Sequence, residues 1–203
     1  MISDIDLARL ELDTYAASPV GEVIDTGIDR VVLTRFPDLT VVSVKGTTTP
    51  AEWISNFKVV GVREATHPQL GICESGFLSG ASALWDKLLP EINPAIPLLI
   101  QGHSRGAGMV PILAGLAFLD GIRPVRCVCW EAPWAVGNQM RVLLIDAGID
   151  GVQYWHGDDP VPCAPALPWL VPNVWPIRHF GSWMPDPFAC HAMEGIVATL
   201  EGF

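Results

Sequence analysis

Residues 97–119 read PLLIQGHSRGAGMVPILAGLAFL, and two kinds of sequence meet inside them. Pro97–Gly102 is a short, nearly continuous apolar run, as expected of a strand buried on both faces. Gly106–Leu119 is a small-residue-rich stretch of helical length, and Asp120-Gly121 stops it. Between them lies Gly102-His103-Ser104-Arg105-Gly106, a G-x-S-x-G pattern. A chain turning this sharply from strand to helix holds its middle residue at a strained tip. Bulky side chains two residues to either side would collide, which is why Gly102 and Gly106 stand there. The Ser104 hydroxyl is then presented above the sheet edge, at the N-terminal end of a helix whose dipole favours negative charge. No Gly-Lys-Ser/Thr follows and no G-x-G-x-x-G forms, so a phosphate-binding loop is not indicated.

Outward from this turn, strands and helices alternate. Phe77–Pro90 carries an apolar helical stripe through Leu78, Ala81, Leu84, Trp85, Leu88 and Leu89. Val125–Trp130 and Gly151–Trp155 read as strands, and Asn138–Ala147 as a helix ended by Gly148. Arg30–Phe36 and Leu39–Lys45 pair as a hairpin across Pro37-Asp38. Ser3–Ala17 reads as a short surface helix, Pro50–Phe57 as a helical turn, and Gly61–Gly76 as irregular. From Trp155 to Cys190 no period is sustained, Val171–Phe180 being only a candidate strand, and a closing helix spans Cys190–Leu200. This alternation predicts an α/β fold, a mostly parallel central sheet with helices on both faces. Residues 1–203 are expected to form one domain.

The formal charge is −10 and half the residues are hydrophobic. Disorder is excluded by the apolar content, and nucleic acid is an unlikely partner for an acidic chain without a basic cluster. No apolar stretch approaches the roughly 20 residues of a bilayer span. Met1–Asp13 is acidic where a secretory leader is basic, so a soluble, most simply cytoplasmic, protein is expected. The five cysteines lack zinc-ligand spacing and are expected to be buried thiols, Cys127 and Cys129 on one face. Met109, Met140, Met184 and Met193 read as core filling. No metal or cofactor is expected.

Several further segments, in order, resemble the class 3 lipase family of fungal-lipase-like α/β-hydrolases. Val41–Thr48 (VVSVKGTT) resembles its strand ending in Arg-Gly-Thr/Ser, with Lys45 in place of the Arg, and Glu52-Trp53 its acidic-Trp pair. Gly76-Phe77, Ala132-Pro133 with Val136-Gly137-Asn138, and Asp159-Pro160-Val161-Pro162 follow. The resemblance implies a serine esterase or lipase acting on lipid or small-molecule esters through an acyl-enzyme. Acyl transfer on the same residues, or a binding domain retaining the fold, are the alternatives.

A hydrolase of this fold orders its triad as Ser, Asp/Glu, His along the chain. Asp159 follows the strand Gly151–Trp155 closely, and the resemblance favours it over its neighbour Asp158. Of the histidines after the acid, the family's late base corresponds to His191, whereas His179 resembles a second histidine earlier in that stretch. For the oxyanion hole, the backbone N–H after the nucleophile belongs to Arg105, and the resemblance supplies a second from Thr47. Trp155, Trp169, Trp175 and Trp183 could line an acyl pocket, give transient contact with a lipid interface, or simply cover the sheet. Val60–Cys73 stands where the family keeps its lid.

Overall fold

A computed structural model describes residues 2–46, 63–184 and 187–202. Strands β1 (Glu22–Asp25), β2 (Arg30–Phe36), β3 (Leu39–Val44), β6 (Leu98–His103), β7 (Arg126–Trp130), β8 (Gly151–His156) and β9 (Ile177–Phe180) form one sheet in the order β1-β2-β3-β6-β7-β8-β9. The first two pairings are antiparallel and the rest parallel, so the opening hairpin extends an otherwise parallel sheet.

Alternation along the strands assigns residues to two cores. Val42, Val44, Leu98, Ile100, Cys127 and Cys129 point to one face. There α2 (Ser75–Leu88), α3 (Arg105–Leu119) and α4 (Asn138–Asp146) cover them with Phe77, Leu84, Ala107, Met109, Met140 and Leu144. Val41, Leu99, Val128, Trp130 and Tyr154 point the other way, against Leu7 of α1 (Asp4–Asp13) and Met193, Ile196 and Val197 of α6 (Met193–Glu201). Helices therefore lie on both faces, as expected. Helix α1 is capped by Ser3, whose hydroxyl accepts from the N–H of Asp6 at 3.2 Å. It is no mere surface helix, since Leu7, Ala8 and Glu11 are buried.

The structure departs from expectation in places of weak apolar patterning. The described part of 61–76 is a hairpin, β4 (Glu64–His67) with β5 (Gly71–Glu74), rather than irregular chain. Its turn is built by His67 Nδ1, which accepts from the N–H groups of Gln69 (3.3 Å) and Leu70 (3.2 Å). Strand β9 fills only the end of the candidate stretch Val171–Phe180, and with three exposed residues of four it has no alternation to read. Cys163 is exposed while the other four cysteines are buried. Met184 is exposed rather than core, unlike Met109, Met140 and Met193. Pro50–Phe57 lies outside the described residues.

The approach of α3 to the sheet depends on glycine. A Cβ on Gly106 would run into the backbone carbonyl of Val44, and one on Gly102 would meet Gly106 C at 2.6 Å. Gly106→Ala is therefore expected to lower stability by about 3 kcal/mol, the upper part of the range for overpacking, read as a fall in the urea midpoint at unchanged m-value.

Candidate active site

Ser104 joins β6 to α3 with φ 54 and ψ −122, a conformation L-residues rarely adopt. It is held from both sides: its N–H donates to Trp130 O of β7 at 2.9 Å, and its carbonyl accepts from Gly108 N at 3.1 Å. The strain, about 1–3 kcal/mol, is thus offset by the sheet and the first turn of the helix. Ser104 is fully buried, and its Oγ has no hydrogen-bond partner among the described residues. Arg105 begins α3, so its backbone N–H is one of the first-turn donors without a partner inside the helix. Its guanidinium points away, to Asp29 (Nε–Oδ1 2.8 Å, Nη2–Oδ2 3.1 Å) and the Gly76 carbonyl.

Asp159 comes three residues after β8 and is fixed by its surroundings. Trp155 Nε1 donates to its carbonyl at 3.0 Å, and its Oδ1 accepts from the N–H of Val161 at 3.0 Å. Its Oδ2 lies 2.5 Å from Nδ1 of His191, the last residue of the short helix α5 (Pro187–His191), and both side chains are fully buried. A carboxylate only accepts, so Nδ1 carries the proton and Nε2 keeps the lone pair. That Nε2 is buried and, like Ser104 Oγ, without a partner among the described residues.

The elbow and the base are tied together by His103. Its Nε2 lies 2.8 Å from the carbonyl of His191 and must donate there, so its Nδ1 accepts from Tyr15 Oη–H at 2.6 Å. Tyr15 Oη in turn accepts from the N–H of Gly46 at 3.0 Å. Burial, then the neighbouring His191, hold the His103 pKa well below the usual imidazole range, in keeping with a neutral ring. One relay thus spans the end of β3, the elbow and the backbone of the base.

The alternative candidates are engaged elsewhere. Asp158 Oδ1 accepts from the N–H of Met184 and from Cys190 Sγ, both at 3.3 Å. His179, on β9, lies 2.5 Å from the Gly157 carbonyl through Nε2 and packs edge-on against Trp155. Thr47 lies outside the described residues, although Gly46 before it is in place. Sequence reading missed Tyr15 and Glu131. Glu131 is a buried acid with one carboxylate oxygen that falls, with one of Asp159 and a ring nitrogen of His191, within a 4.8 Å cluster. Among the described residues these three side chains are the group that could offer atoms to a metal, but the Asp159–His191 hydrogen bond already occupies two of them.

The sequence pattern of the family described as Lipase (class 3) matches residues 41–169, well over half the chain. The chain belongs to the class 3 lipase family. Among its curated relatives, the chain is 28% identical over 172 residues to "Secreted mono- and diacylglycerol lipase 1" of Fusarium solani, covering 77% of this chain and 49% of that one. It is 26% identical over 173 residues to "Secreted mono- and diacylglycerol lipase A" of Penicillium cyclopium, covering 80% and 53%. The chain spans about half the length of these relatives. The triacylglyceride lipase of Rhizomucor miehei shares the α/β-hydrolase fold with a TM-score of 0.66 at 14% identity, over 92% of this chain and 82% of that one. A crystal structure of fungal lipases gives 0.69 at 17%, over 88% and 81%. The expectation of a cytoplasmic protein is corrected by these relatives, which are named secreted. It rested on an acidic start of the chain, which carries no information about delivery.

Tyr15→Phe removes the proton that His103 Nδ1 accepts and the acceptor of the Gly46 N–H. We expect a stability loss of about 1–3 kcal/mol by chemical denaturation, the cost of buried groups left unpaired.

Proposed function

We propose that the chain is a carboxylic ester hydrolase working as one α/β-hydrolase domain, with Ser104 as nucleophile, His191 as base and Asp159 as the acid that orients it. The observation that carries this reading is the Asp159 Oδ2–His191 Nδ1 contact of 2.5 Å, which leaves His191 Nε2 unpartnered among the described residues, as is the Oγ of Ser104, whose neighbour His103 bonds to the His191 carbonyl at 2.8 Å. In the first half-reaction Nε2 takes the hydroxyl proton as Oγ attacks the ester carbonyl. The oxyanion is met by the N–H of Arg105 and, carried over from the family, that of Thr47. The alcohol leaves with the proton from His191, and water then cleaves the acyl-enzyme by the same proton route. The names of the fungal relatives support mono- and diacylglycerols as the substrate class.

Contact with a lipid surface would fall to Trp183 and Met184. Trp183 is 72% exposed, and the Met184 N–H is pinned to Asp158, beside the acid. Trp175, by contrast, is buried with its indole N–H on the Ile149 carbonyl, and so belongs to the core. Among the described residues, no helix is long and apolar enough to cross a membrane.

Turnover of p-nitrophenyl butyrate and of monoacylglycerol tests the assignment. Ser104→Ala and His191→Ala should each abolish turnover, and Asp159→Asn should lower kcat by about 10⁴, as loss of the orienting acceptor does in other serine hydrolases. His179→Ala and Asp158→Asn should stay close to the parent. Activity surviving in His191→Ala but not in His179→Ala would reassign the base. Trp183→Ala should slow turnover of emulsified acylglycerol while leaving the dissolved p-nitrophenyl ester unaffected. Equal loss on both would place Trp183 in the acyl site instead.

A further inference from the structure

Glu131 directly follows β7 and is fully buried. Its backbone has φ 54, and among the described residues only Ser104 shares a positive φ without being glycine. Holding a long acidic side chain there costs strain and desolvation together, so its carboxyl must be engaged. Its N–H donates to Tyr154 O at 3.0 Å, and its Oε1 accepts from the N–H of His156 at 2.5 Å. Its Oε2 is buried with no hydrogen-bond partner among the described residues, and one of its two carboxylate oxygens lies in the 4.8 Å cluster with Asp159 and His191.

Two carboxylates this close in a site without solvent do not both carry charge. Asp159 receives two donors, the Val161 N–H and the His191 Nδ1–H, whereas Glu131 receives one. The shared proton therefore belongs on Glu131. Burial, then the neighbouring Asp159 carboxylate, push the Glu131 carboxyl well above the usual range. The groups facing it are Asp159 from the loop after β8, the His156 backbone from β8, and Cys190 and His191 from α5.

We propose, resting on the Ser104–His191–Asp159 reading, that Glu131 is a positioning residue: a neutral carboxylic acid whose proton is directed at the Asp159 carboxylate and fixes the orientation in which Asp159 holds His191. A glutamine reproduces this role, its carbonyl accepting from His156 and its N–H₂ donating to Asp159. A methionine fills the space and does neither.

The test compares the full chain with Glu131→Gln and Glu131→Met. Three readouts serve: kcat and KM on p-nitrophenyl butyrate, the pH profile of kcat/KM, and the NMR resonance of the His191 Nδ1 proton. Glu131→Gln should match the parent in all three. Glu131→Met should lower kcat by about tenfold, the size of one hydrogen bond to a charged group, with KM unchanged. It should also move the acid limb of the profile to higher pH, because Asp159 without its donor holds the imidazolium more tightly. The Nδ1 resonance should shift in Glu131→Met alone. A parent-like Glu131→Met overturns the inference, as does a Glu131→Gln as impaired as Glu131→Met. Should the Met variant not fold, Glu131→Gln decides: a parent-like His191 titration supports a neutral acid, and a titration moved to lower pH, as removal of a charge would cause, overturns it. The resonance is read without turnover. An inert parent whose Nδ1 proton responds as expected would sink ester hydrolysis and leave the role of Glu131 standing.

Discussion

A buried parallel strand and a helix packed directly on it can be joined through Ser104 only if the backbone there takes a left-handed turn, φ 54 and ψ −122. The rest of the site depends on that turn. It requires Gly102 and Gly106, because the helix backbone lies against β6 and against the end of β3 with no space for a Cβ. It also puts Ser104 Oγ at the carboxyl edge of the parallel strands, where the loop after β8 and the segment after β9 converge. The strained residue persists because the Trp130 carbonyl and the first turn of α3 hold its peptide groups.

Around the turn, the site is kept in place by hydrogen bonds from elements far apart in sequence. Tyr15, beyond the end of α1, connects the Gly46 N–H to His103, and His103 reaches the backbone of His191. From the other side, Trp155 and the Val161 N–H hold Asp159. His156 fastens the Cys190 carbonyl through Nδ1 at 2.8 Å, anchoring α5 as it brings His191 inward. Nearly every polar atom of this buried network has a partner, as a low-dielectric interior demands. Among the described residues the exceptions are Ser104 Oγ, His191 Nε2, Glu131 Oε2 and both carboxylate oxygens of Glu11. The first three belong to the elbow and to the Glu131–Asp159–His191 cluster, which supports a site built for chemistry.

Much of this was legible in the sequence because packing imposes periods. The apolar run into Gly102, the stripe on α2 and the alternation on β7 each reflect burial, and their order predicts the parallel sheet. The elbow glycines were legible for a steric reason. What was less legible had no periodic signature: β9, at the end of the candidate stretch Val171–Phe180, exposes three of its four residues, β4 and β5 turn on hydrogen bonds accepted by the His67 ring, and β1 is four residues long. Tyr15 and Glu131 escaped for a different reason. A tyrosine after a helix and a glutamate after a strand look ordinary until the fold brings each beside a histidine or carboxylate distant in sequence. The choice of His191 over His179 rested on the family resemblance, and it is His191 that the structure pairs with Asp159.

The central claim is that Ser104 is the activated nucleophile of the site. Its most direct test is peptide mapping by mass spectrometry after treatment with a fluorophosphonate, which reacts with a serine only where a neighbouring base removes its proton. The account predicts a single phosphonyl adduct, on the peptide containing Gly102-His103-Ser104-Arg105-Gly106 and localised to Ser104. An unmodified chain, or an adduct on any other residue, would contradict it.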